Sequence, residues 1–260
     1  MLLNRVIWCF GVLAACIVNP CAGDEPYRLR VLSYNIHHAE GVDGKLDLGR
    51  IAKVILSAQP DIVALQEVDQ NVKRSGNVDQ AAELGRLTQM NSAFGGNIEL
   101  QGGKYGNAIL TRFEIVGQQN DALPNINAGE QRGILKVMIK LPGRSEGLKL
   151  YATHLDHRRE ERERVLSAER INSMVEELAP SLLLGDLNDV SGSATLNLLD
   201  RKWKRTHEGV LPTIPVKNPS RQIDFIAVRP AESWTLIETK VLDEAVASDH
   251  RPILAVIELK

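Results

Sequence analysis

Short apolar runs that end in polar residues recur along the chain, a pattern typical of β-strands. Residues 29–36 alternate between apolar and polar side chains, whereas residues 62–68 and 182–186 begin with continuous apolar runs. Alternation predicts a half-buried strand, and a continuous run predicts a strand buried on both faces. Further strands are predicted near residues 93–100, 106–111, 133–141, 148–153, 223–228, 234–241 and 252–259.

Helical spacing of apolar residues is found in three segments. Asp47 is placed to cap a helix whose apolar residues recur every three or four positions, and a second helix is predicted near residues 79–90. The longest helix is predicted over residues 157–178, where arginines and glutamates alternate. That alternation favours a solvated face over a cationic grip on phosphate, because the acids cancel the positive charge. Residues 119–131 are predicted to form a polar loop.

About ten strands with few helices between them indicate how the chain is layered. They predict an α/β protein built as a two-sheet β-sandwich flanked by helices, in four layers. The length of 260 residues and the 43% hydrophobic share suit a single large domain, which we expect over residues 24–260.

The first 23 residues differ in composition from the rest. Arg5 precedes an apolar run over residues 6–18, which is shorter than the roughly 20 residues of a membrane-spanning helix. The pattern predicts a secretory signal peptide over residues 1–23, and therefore export to the periplasm or the extracellular space. The alternative is a lipoprotein signal ending at residue 15, because "LAAC" resembles a lipobox that would leave a lipid anchor on Cys16.

Charge and cysteine content narrow the possible partners. Cleavage at Gly23 removes all three cysteines, which excludes disulfides and thiolate metal sites from the mature chain. It also removes Arg5, which leaves 30 basic against 33 acidic residues, a net charge of −3. This charge, with an aromatic content of only 4%, does not favour a nucleic-acid partner.

Polar side chains stand at the ends of the apolar strands. In "LLLGDLNDV", residues 182–190, the polar residues taken alone favour a helix cap or a turn. The same pattern recurs elsewhere, however, and a buried carboxylate is costly without a partner or a cation. The side chains that share this position are Asn35, Glu67, Asn107, His154, Asp186, Asn188, Asp224, Asp249 and His250.

The chemistry of this set points to phosphoester hydrolysis. Carboxylate and amide oxygens are hard ligands suited to Mg²⁺ or Mn²⁺, and these ions also accept phosphate oxygens. Histidines beside aspartates supply groups that titrate near neutral pH and hold one tautomer. The predicted cofactor is therefore Mg²⁺ or Mn²⁺.

Seven motifs in order resemble the signature of the endonuclease/exonuclease/phosphatase superfamily. They are "SYNIH", "QEVD", "GNAILTR", "THLD", "GDLND", "QIDFI" and "SDHRP", and they run from about Leu29 to Leu259. That superfamily includes pancreatic-type deoxyribonucleases, apurinic-site endonucleases, inositol-polyphosphate 5-phosphatases and neutral sphingomyelinases. The resemblance implies a two-sheet sandwich with helices outside, in agreement with the strand count.

The resemblance also implies roles for individual residues. Glu67 resembles the principal metal ligand, and Asn35 and Asp249 complete or support its site. Asp186 resembles the residue that orients or deprotonates the attacking water, and Asn188 is expected to hold the water or a phosphate oxygen. Two histidines resemble phosphate-binding groups: His250, whose ring Asp224 orients, and His154, whose acidic partner the sequence does not identify.

Several further residues are candidates on the substrate side. Asn107 and Arg112 match a strand where relatives place phosphate contacts, while Tyr105 and Arg132 suit either a substrate role or ordinary packing. His37 stands where several nuclease relatives carry an aspartate ligand, which leaves three alternatives for it: weaker metal binding, substrate contact or a position facing the loop. His38 follows directly.

Two other histidines lack a surrounding motif. His157 opens the charged helix and His207 lies in a polar segment, so both are predicted to be surface residues.

The function that these observations favour is an exported phosphodiesterase acting on a small or lipid-linked phosphodiester by in-line attack of water. One alternative is a secreted nuclease on DNA or RNA, since the same catalytic residues would serve. An alternative of another class is a non-catalytic binding module on the same fold. We expect a monomer whose partner is a phosphoester substrate, with membrane lipid as one such substrate and nucleic acid less favoured.

Overall fold

The computed structural model describes residues 25–126, 128–175 and 179–260. The predicted signal peptide and Cys16 lie outside these ranges, so export and lipid attachment stay predictions. Across the described ranges, every helix is too short or too polar to cross a membrane.

The first β-sheet has six strands in the order β11-β12-β1-β2-β4-β3. Strands β1 and β2 run parallel, and the other neighbours are antiparallel. The strands are β1 (Tyr27–Asn35), β2 (Ile62–Gln70), β3 (Asn91–Leu100), β4 (Gly103–Thr111), β11 (Trp234–Val241) and β12 (Ile253–Leu259).

The second β-sheet also has six strands, in the order β5-β6-β7-β8-β10-β9. Here β7 and β8 are the parallel pair. The strands are β5 (Glu114–Ala122), β6 (Gly133–Lys140), β7 (Gly147–His154), β8 (Ser181–Asp186), β9 (Lys204–Arg205) and β10 (Asp224–Arg229).

The two sheets pack face to face over an apolar core. Val31 and Ile62 from the first sheet and Leu150 and Leu184 from the second are fully buried in this layer. Because side chains alternate along a strand, the neighbouring Leu32 of β1 points to the other face, where helices cover it. Burial on both faces explains why these strands read as continuous apolar runs.

Within residues 25–126, 128–175 and 179–260, four α-helices flank the sandwich and confirm the predicted four-layer α/β arrangement. Asp47 and Asp79 begin two of them, accepting the backbone N–H of Arg50 at 2.9 Å and of Ala82 at 3.1 Å. Helices α1 and α2 cover the first sheet, and α3 and α4 cover the second. The helices are α1 (Leu48–Ala58), α2 (Gln80–Thr88), α3 (Arg162–Ser173) and α4 (Ala194–Leu199).

Two predictions about elements are wrong. The predicted loop over residues 119–131 begins as the end of β5, an edge strand whose side chains are mostly exposed. An edge strand needs few apolar residues, so its sequence "EIVGQQNDA" carries little strand signal. The predicted helix over residues 157–178 begins only at Arg162, and its last three residues lie outside the described ranges.

The late start of α3 follows from the position of Arg164. Its side chain is buried instead of solvated, and its guanidinium donates to the carbonyls of Asp156 at 3.0 Å and of Arg158. It also pairs with Asp189 at 3.1 Å. The segment before the helix therefore wraps around one buried cation, and the prediction of a wholly solvated charged face is wrong here.

Strand directions bring the polar strand ends to one end of the sandwich. The carboxyl ends of the parallel strands β1 and β2 lie side by side, and antiparallel β4 starts next to them. In the second sheet, β7 and β8 end together, and β10 begins opposite the end of β8. The two sheets thus present their polar ends at a common rim.

Candidate active site

Asp186, Asp224 and His250 form the buried centre of this rim. Asp186 ends β8, and Asp224 begins β10 directly opposite it in the antiparallel ladder. His250 Nδ1 lies 2.9 Å from Asp224 Oδ2, and His250 Nε2 lies 3.7 Å from Asp186 Oδ2. One ligand atom from each of the three residues lies within 4.8 Å of the others, so this group is also a possible cation site.

The environment of Asp186 favours its protonated form. Burial and repulsion from Asp224 raise the pKa of Asp186 to about 7, although His250 and the donors Asn188 and Asn35 act in the opposite direction. A carboxylate with a pKa near 7 is poised to accept a proton at neutral pH. Asp186 therefore has the property expected of a general base.

The charge of His250 is set by its two acidic neighbours. Burial alone would lower its pKa, but the negative charges of Asp224 and Asp186 raise the pKa of His250 to about 10. At neutral pH the ring is therefore an imidazolium that donates Nδ1–H to Asp224. Its Nε2–H faces the site and can stabilise an anionic oxygen.

His154 is held as a neutral donor. Arg132 Nη1 lies 3.1 Å from His154 Nδ1, and since a guanidinium only donates, this ring nitrogen must be the acceptor. The proton of the neutral ring is then on Nε2, which lies 3.5 Å from Asp186 Oδ2. Burial, followed by the charges of Arg132 and His250, lowers the pKa of His154 well below its usual value. Asp186 is thus the acidic partner that the sequence did not identify.

Arg132 is a residue at the rim whose role the sequence left open. It is buried, with Glu130 Oε1 2.8 Å from Nη1, and its Nη2 donates to His157 Nδ1 at 3.1 Å. Its only sequence signal is an arginine placed just before an apolar strand. His157 is exposed, as predicted for a surface residue, but it is bonded to the arginine that orients His154.

Asn35 joins the two sheets at the rim. Its amide nitrogen donates to Glu67 Oε1 at 3.0 Å and to Asp186 Oδ2 at 3.1 Å. Its oxygen accepts the backbone N–H of His37 at 3.1 Å. An ionised carboxylate can accept hydrogen bonds but cannot donate them, so the amide nitrogen of Asn35 has to face both carboxylates. Asn35 therefore supports the predicted metal ligand Glu67 and positions two carboxylates, and its role as a ligand itself stays a prediction.

Glu67 lies in a strained part of β2. The pairing of β2 with β4 shifts register between Leu65 and Val68, and Glu67 has a positive φ of 59°. Its carboxylate lies close to His37 and His38, with one ligand atom from each residue within 4.8 Å of the others. The structure thus gives the predicted metal ligand two imidazole neighbours.

Asp249 is more exposed than expected of a metal ligand. Its Oδ1 lies 3.3 Å from the hydroxyl of Ser248, which also donates to the carbonyl of Asn35 at 2.7 Å. Among the described residues, it belongs to neither of the two possible cation sites. Its metal role remains a prediction.

Asn188 holds the carboxylate of Asp186. Its backbone N–H donates to Asp186 Oδ1 at 2.9 Å, and its side-chain nitrogen donates to the carbonyl of Leu155 at 3.0 Å. A positive φ of 49° places it in the left-handed region, which asparagine tolerates well. Asn188 therefore orients Asp186 through the backbone.

Asn107 of β4 and Arg112, which directly follows that strand, lie far apart. Asn107 is buried at the rim, where its nitrogen donates to the carbonyl of Gly133 at 3.2 Å. Its Oδ1 has no hydrogen-bond partner among the described residues. Arg112 follows Thr111, which pairs with Ile62 at the start of β2. The prediction for Arg112 is wrong, because five residues of extended strand, roughly 17 Å, separate it from Asn107.

Tyr105, a candidate substrate residue, and His207, a predicted surface residue, both have structural neighbours. Tyr105 packs under the Arg74 guanidinium, 5.4 Å from the ring centre, and Arg74 makes two 2.8 Å hydrogen bonds to Asp69. His207 is half-buried instead of fully on the surface, with its ring 3.0 Å from Gln222 Oε1.

Comparisons with known proteins identify relatives of this chain. The sequence model of the Endonuclease/Exonuclease/phosphatase family matches residues 32–250. The Escherichia coli K12 protein YbhP is 27% identical over 250 residues, which cover 90% of this chain and 98% of YbhP.

Solved structures are similar in fold. An endonuclease/exonuclease/phosphatase from Beutenbergia cavernae DSM 12333 has a TM-score of 0.79 and 27% identity, over 90% of this chain and 72% of that one. A mannosyl-6-phosphatase from Bacteroides thetaiotaomicron VPI-5482 has a TM-score of 0.71 at 19% identity, over 88% of this chain and 99% of that one. The second likeness concerns the fold alone.

Proposed function

This chain belongs to the endonuclease/exonuclease/phosphatase family, whose members are phosphoric ester hydrolases, and from that premise we propose that it hydrolyses a small or lipid-linked phosphodiester. The observation that carries the proposal is a single buried acceptor, Asp186, with an imidazole N–H on either side. His154 Nε2 and His250 Nε2 lie 3.5 and 3.7 Å from the same oxygen, Asp186 Oδ2.

The proton positions of these residues suit in-line attack by water. Asp186 accepts the proton of the water as the water oxygen bonds to phosphorus and the bond to the leaving oxygen breaks. The imidazolium of His250 and the neutral N–H of His154 donate to phosphoryl oxygens, where negative charge accumulates in the transition state. Asp224 keeps the His250 ring charged and in place.

The donor set at Glu67 fits a divalent cation. The carboxylate is half-buried, and Asn35 occupies one side of Oε1, which leaves oxygen lone pairs for a metal. A bound Mg²⁺ or Mn²⁺ supplies Lewis-acid stabilisation of the phosphate charge. We propose Glu67 as its principal ligand and Asp249 as a further one.

The choice of substrate class rests on charge and composition. A net charge of −3 for residues 24–260 and an aromatic content of 4% offer little to a long polyanion whose bases need stacking surfaces. A small or lipid-linked head group needs only the buried rim itself. Loops differ between members of one fold, so the substrate has to be determined directly.

A substrate panel tests the proposal. The protein is incubated with plasmid DNA, RNA, a phosphocholine lipid, glycerophosphodiesters, inositol phosphates and a hexose 6-phosphate, with Mg²⁺ and with chelator. We expect Mg²⁺-dependent turnover of a lipid or small diester, and its loss in Asp186→Asn.

The other outcomes distinguish the alternatives. Fast cleavage of DNA or RNA without turnover of small diesters would replace the proposal with a nuclease. Turnover of the monoester alone would make the protein a phosphatase. The absence of any product, with binding retained, would make it a binding module.

We also propose that the enzyme is exported, on the pattern of residues 1–23 described above. Cell fractionation and N-terminal sequencing of the mature protein test this. A mature chain starting at Asp24 supports signal-peptide cleavage, whereas a lipid-modified N-terminus lost in Cys16→Ser supports the lipoprotein route. A cytoplasmic protein that keeps Met1 would contradict both.

A further inference from the structure

His37 and His38 lie beside Glu67, and the proposed chemistry uses neither of them. One ligand atom from each of the three residues lies within 4.8 Å of the others. The imidazole rings are 4.5 Å apart between centroids, at an angle of 61°. Two nitrogens and a carboxylate at this spacing form a mixed ligand set that differs from an all-oxygen site.

The hydrogen bond of His37 fixes which of its nitrogens is free. Its Nδ1 lies 3.0 Å from the backbone carbonyl of Glu40. A carbonyl only accepts, so Nδ1 carries the proton and Nε2 of the neutral ring carries the lone pair. Histidines that bind metals are usually held in this way, with the other ring nitrogen donating to a carbonyl or carboxylate.

His38 shows the same arrangement with the nitrogens exchanged. Its Nε2 lies 3.4 Å from Glu40 Oε2, and its Nδ1 is buried without a hydrogen-bond partner among the described residues. The residue is only 8% exposed. A buried polar nitrogen without a partner is unfavourable, and its lone pair is available to a cation. Glu40 thus supports both rings, through its carbonyl for His37 and through its carboxylate for His38.

The backbone around these residues is held in an unusual conformation. His37, His38 and Ala39 have positive φ values of 45°, 43° and 64°, and Glu67 has 59°. Gln80 fixes the segment by donating to the His38 carbonyl at 2.8 Å. Non-glycine residues with positive φ cluster at functional sites, where the surrounding structure holds them in this strained conformation.

We propose that His37 Nε2, His38 Nδ1 and the Glu67 carboxylate bind a divalent transition ion of the Co²⁺ or Zn²⁺ class in preference to Mg²⁺. Imidazole nitrogens suit these ions, whereas Mg²⁺ prefers oxygen ligands alone. The inference deepens the proposed function and rests on it in one respect, since Glu67 serves both.

Metal binding is measured directly on the full protein after dialysis against chelator. Co²⁺ is titrated and followed by its visible ligand-field absorption, and Zn²⁺ and Mg²⁺ are titrated by calorimetry. We expect one equivalent of Co²⁺ or Zn²⁺ bound at least about 10-fold more tightly than Mg²⁺. His37→Gln and His38→Gln are expected to weaken Co²⁺ binding by about 10- to 100-fold and to change the absorption spectrum.

Matched variants locate the ion. His207→Gln removes a half-buried histidine elsewhere, and Asp224→Asn alters the other possible cation site, so both should retain the Co²⁺ spectrum of the wild type. Glu40→Gln keeps both ligands and weakens only the carboxylate support of His38, so it should bind Co²⁺ less tightly than wild type. This variant keeps the test open if a histidine variant does not fold.

The outcomes separate this inference from the proposed function. Unchanged Co²⁺ affinity in His37→Gln, His38→Gln and Glu40→Gln overturns the inference, as does a preference for Mg²⁺. Loss of the spectrum in the histidine variants supports it, whether or not any phosphoester is hydrolysed. If variants that cannot bind Co²⁺ still hydrolyse a phosphoester with Mg²⁺, the result supports both the proposed function and this inference.

Discussion

The two sides of the rim differ in how their charged and polar groups are balanced. At the rim of the second sheet, Asp186 and Asp224 meet His250, which comes from the loop before β12 of the first sheet. The three groups neutralise one another, and hydrogen bonds fix where the protons are. On the first sheet, His38 keeps a buried nitrogen without a partner beside Glu67, on a strained backbone. The first arrangement balances its charges within the protein and suits proton transfer. The second is incomplete and suits a cation.

Removing the base should have the largest effect on the second sheet's side. Asp186→Asn keeps the size of the side chain and an acceptor for Asn35 but cannot take a proton. We expect kcat to fall by about 10²- to 10⁴-fold, measured at saturating substrate. Asp189→Asn is the matched control: it weakens the pair with Arg164 and should lower thermal stability while kcat stays near wild type. A kcat within tenfold of wild type in Asp186→Asn would exclude Asp186 as the base.

The partner of His250 should determine the alkaline limit of activity. In the wild type, activity should rise as Asp186 ionises near pH 7 and fall as His250 loses its proton near pH 10. Asp224→Asn removes the largest attraction for that proton, so the alkaline limb should move to lower pH and kcat should fall by about 10²-fold. The pH profile of kcat measures both effects.

The raised pKa of His250 also predicts how the stability of the fold changes with pH. Because the folded-state pKa of His250 is raised from 6.5 to about 10, its protonation stabilises the fold fully below pH 6.5. That contribution is lost as the pH rises through 10. Denaturant midpoints should therefore fall over this range in the wild type and less in Asp224→Asn. An equal fall in both proteins would argue against the Asp224–His250 pair as its source.

The first sheet's side should respond to cations in stability as well as rate. A divalent ion at about 100 times its Kd should stabilise the fold by about 2.7 kcal/mol, as measured by denaturation with and without chelator. Glu67→Gln should abolish this difference, because the amide loses the charge that holds the ion. Asp243→Asn, an exposed acid paired with Arg251, should retain it. Equal stability of the wild type in both conditions would contradict a cation at Glu67.

The smallest expected effect concerns the orientation of His154. Arg132→Met removes the donor to Nδ1 and should reduce kcat by about tenfold, because both tautomers of the ring become accessible. Nitrogen chemical shifts of His154 should report the loss of the single tautomer, and Arg132→Lys should restore part of it. His157→Gln is the control, since it removes one partner of Arg132 and leaves the contacts with His154 and Glu130 in place. An equal loss in His157→Gln would indicate a structural role for the pair.

Many residues of this rim could be predicted because they lie at the ends of strands. Asp186, Asp224 and His154 each follow or begin an apolar run, and strand pairing then places them side by side. The two-sheet fold was predictable for the same reason, since strands buried on both faces give continuous apolar segments.

The parts that could not be predicted depend on three-dimensional surroundings. Arg132 is recognisable only once β6 and β7 are paired, because its partner His154 lies 22 residues away. Arg112 shares a motif with Asn107, but an extended strand carries it to the opposite end of the sheet. Strand β5 shows little apolar periodicity because an edge strand is largely solvated.

The side-chain amide of Asn35 links the two sheets and affects how the enzyme loses activity on heating. It donates to Glu67 in one sheet and to Asp186 in the other, with two hydrogen bonds near 3 Å. The distance between the proposed cation ligand and the proposed base therefore depends on how the two sheets pack against each other. A slide of one sheet over the other by a single ångström would break this bridge while leaving most of the apolar layer in contact. Catalytic turnover should therefore be lost at a lower temperature than the temperature at which the β-sandwich unfolds.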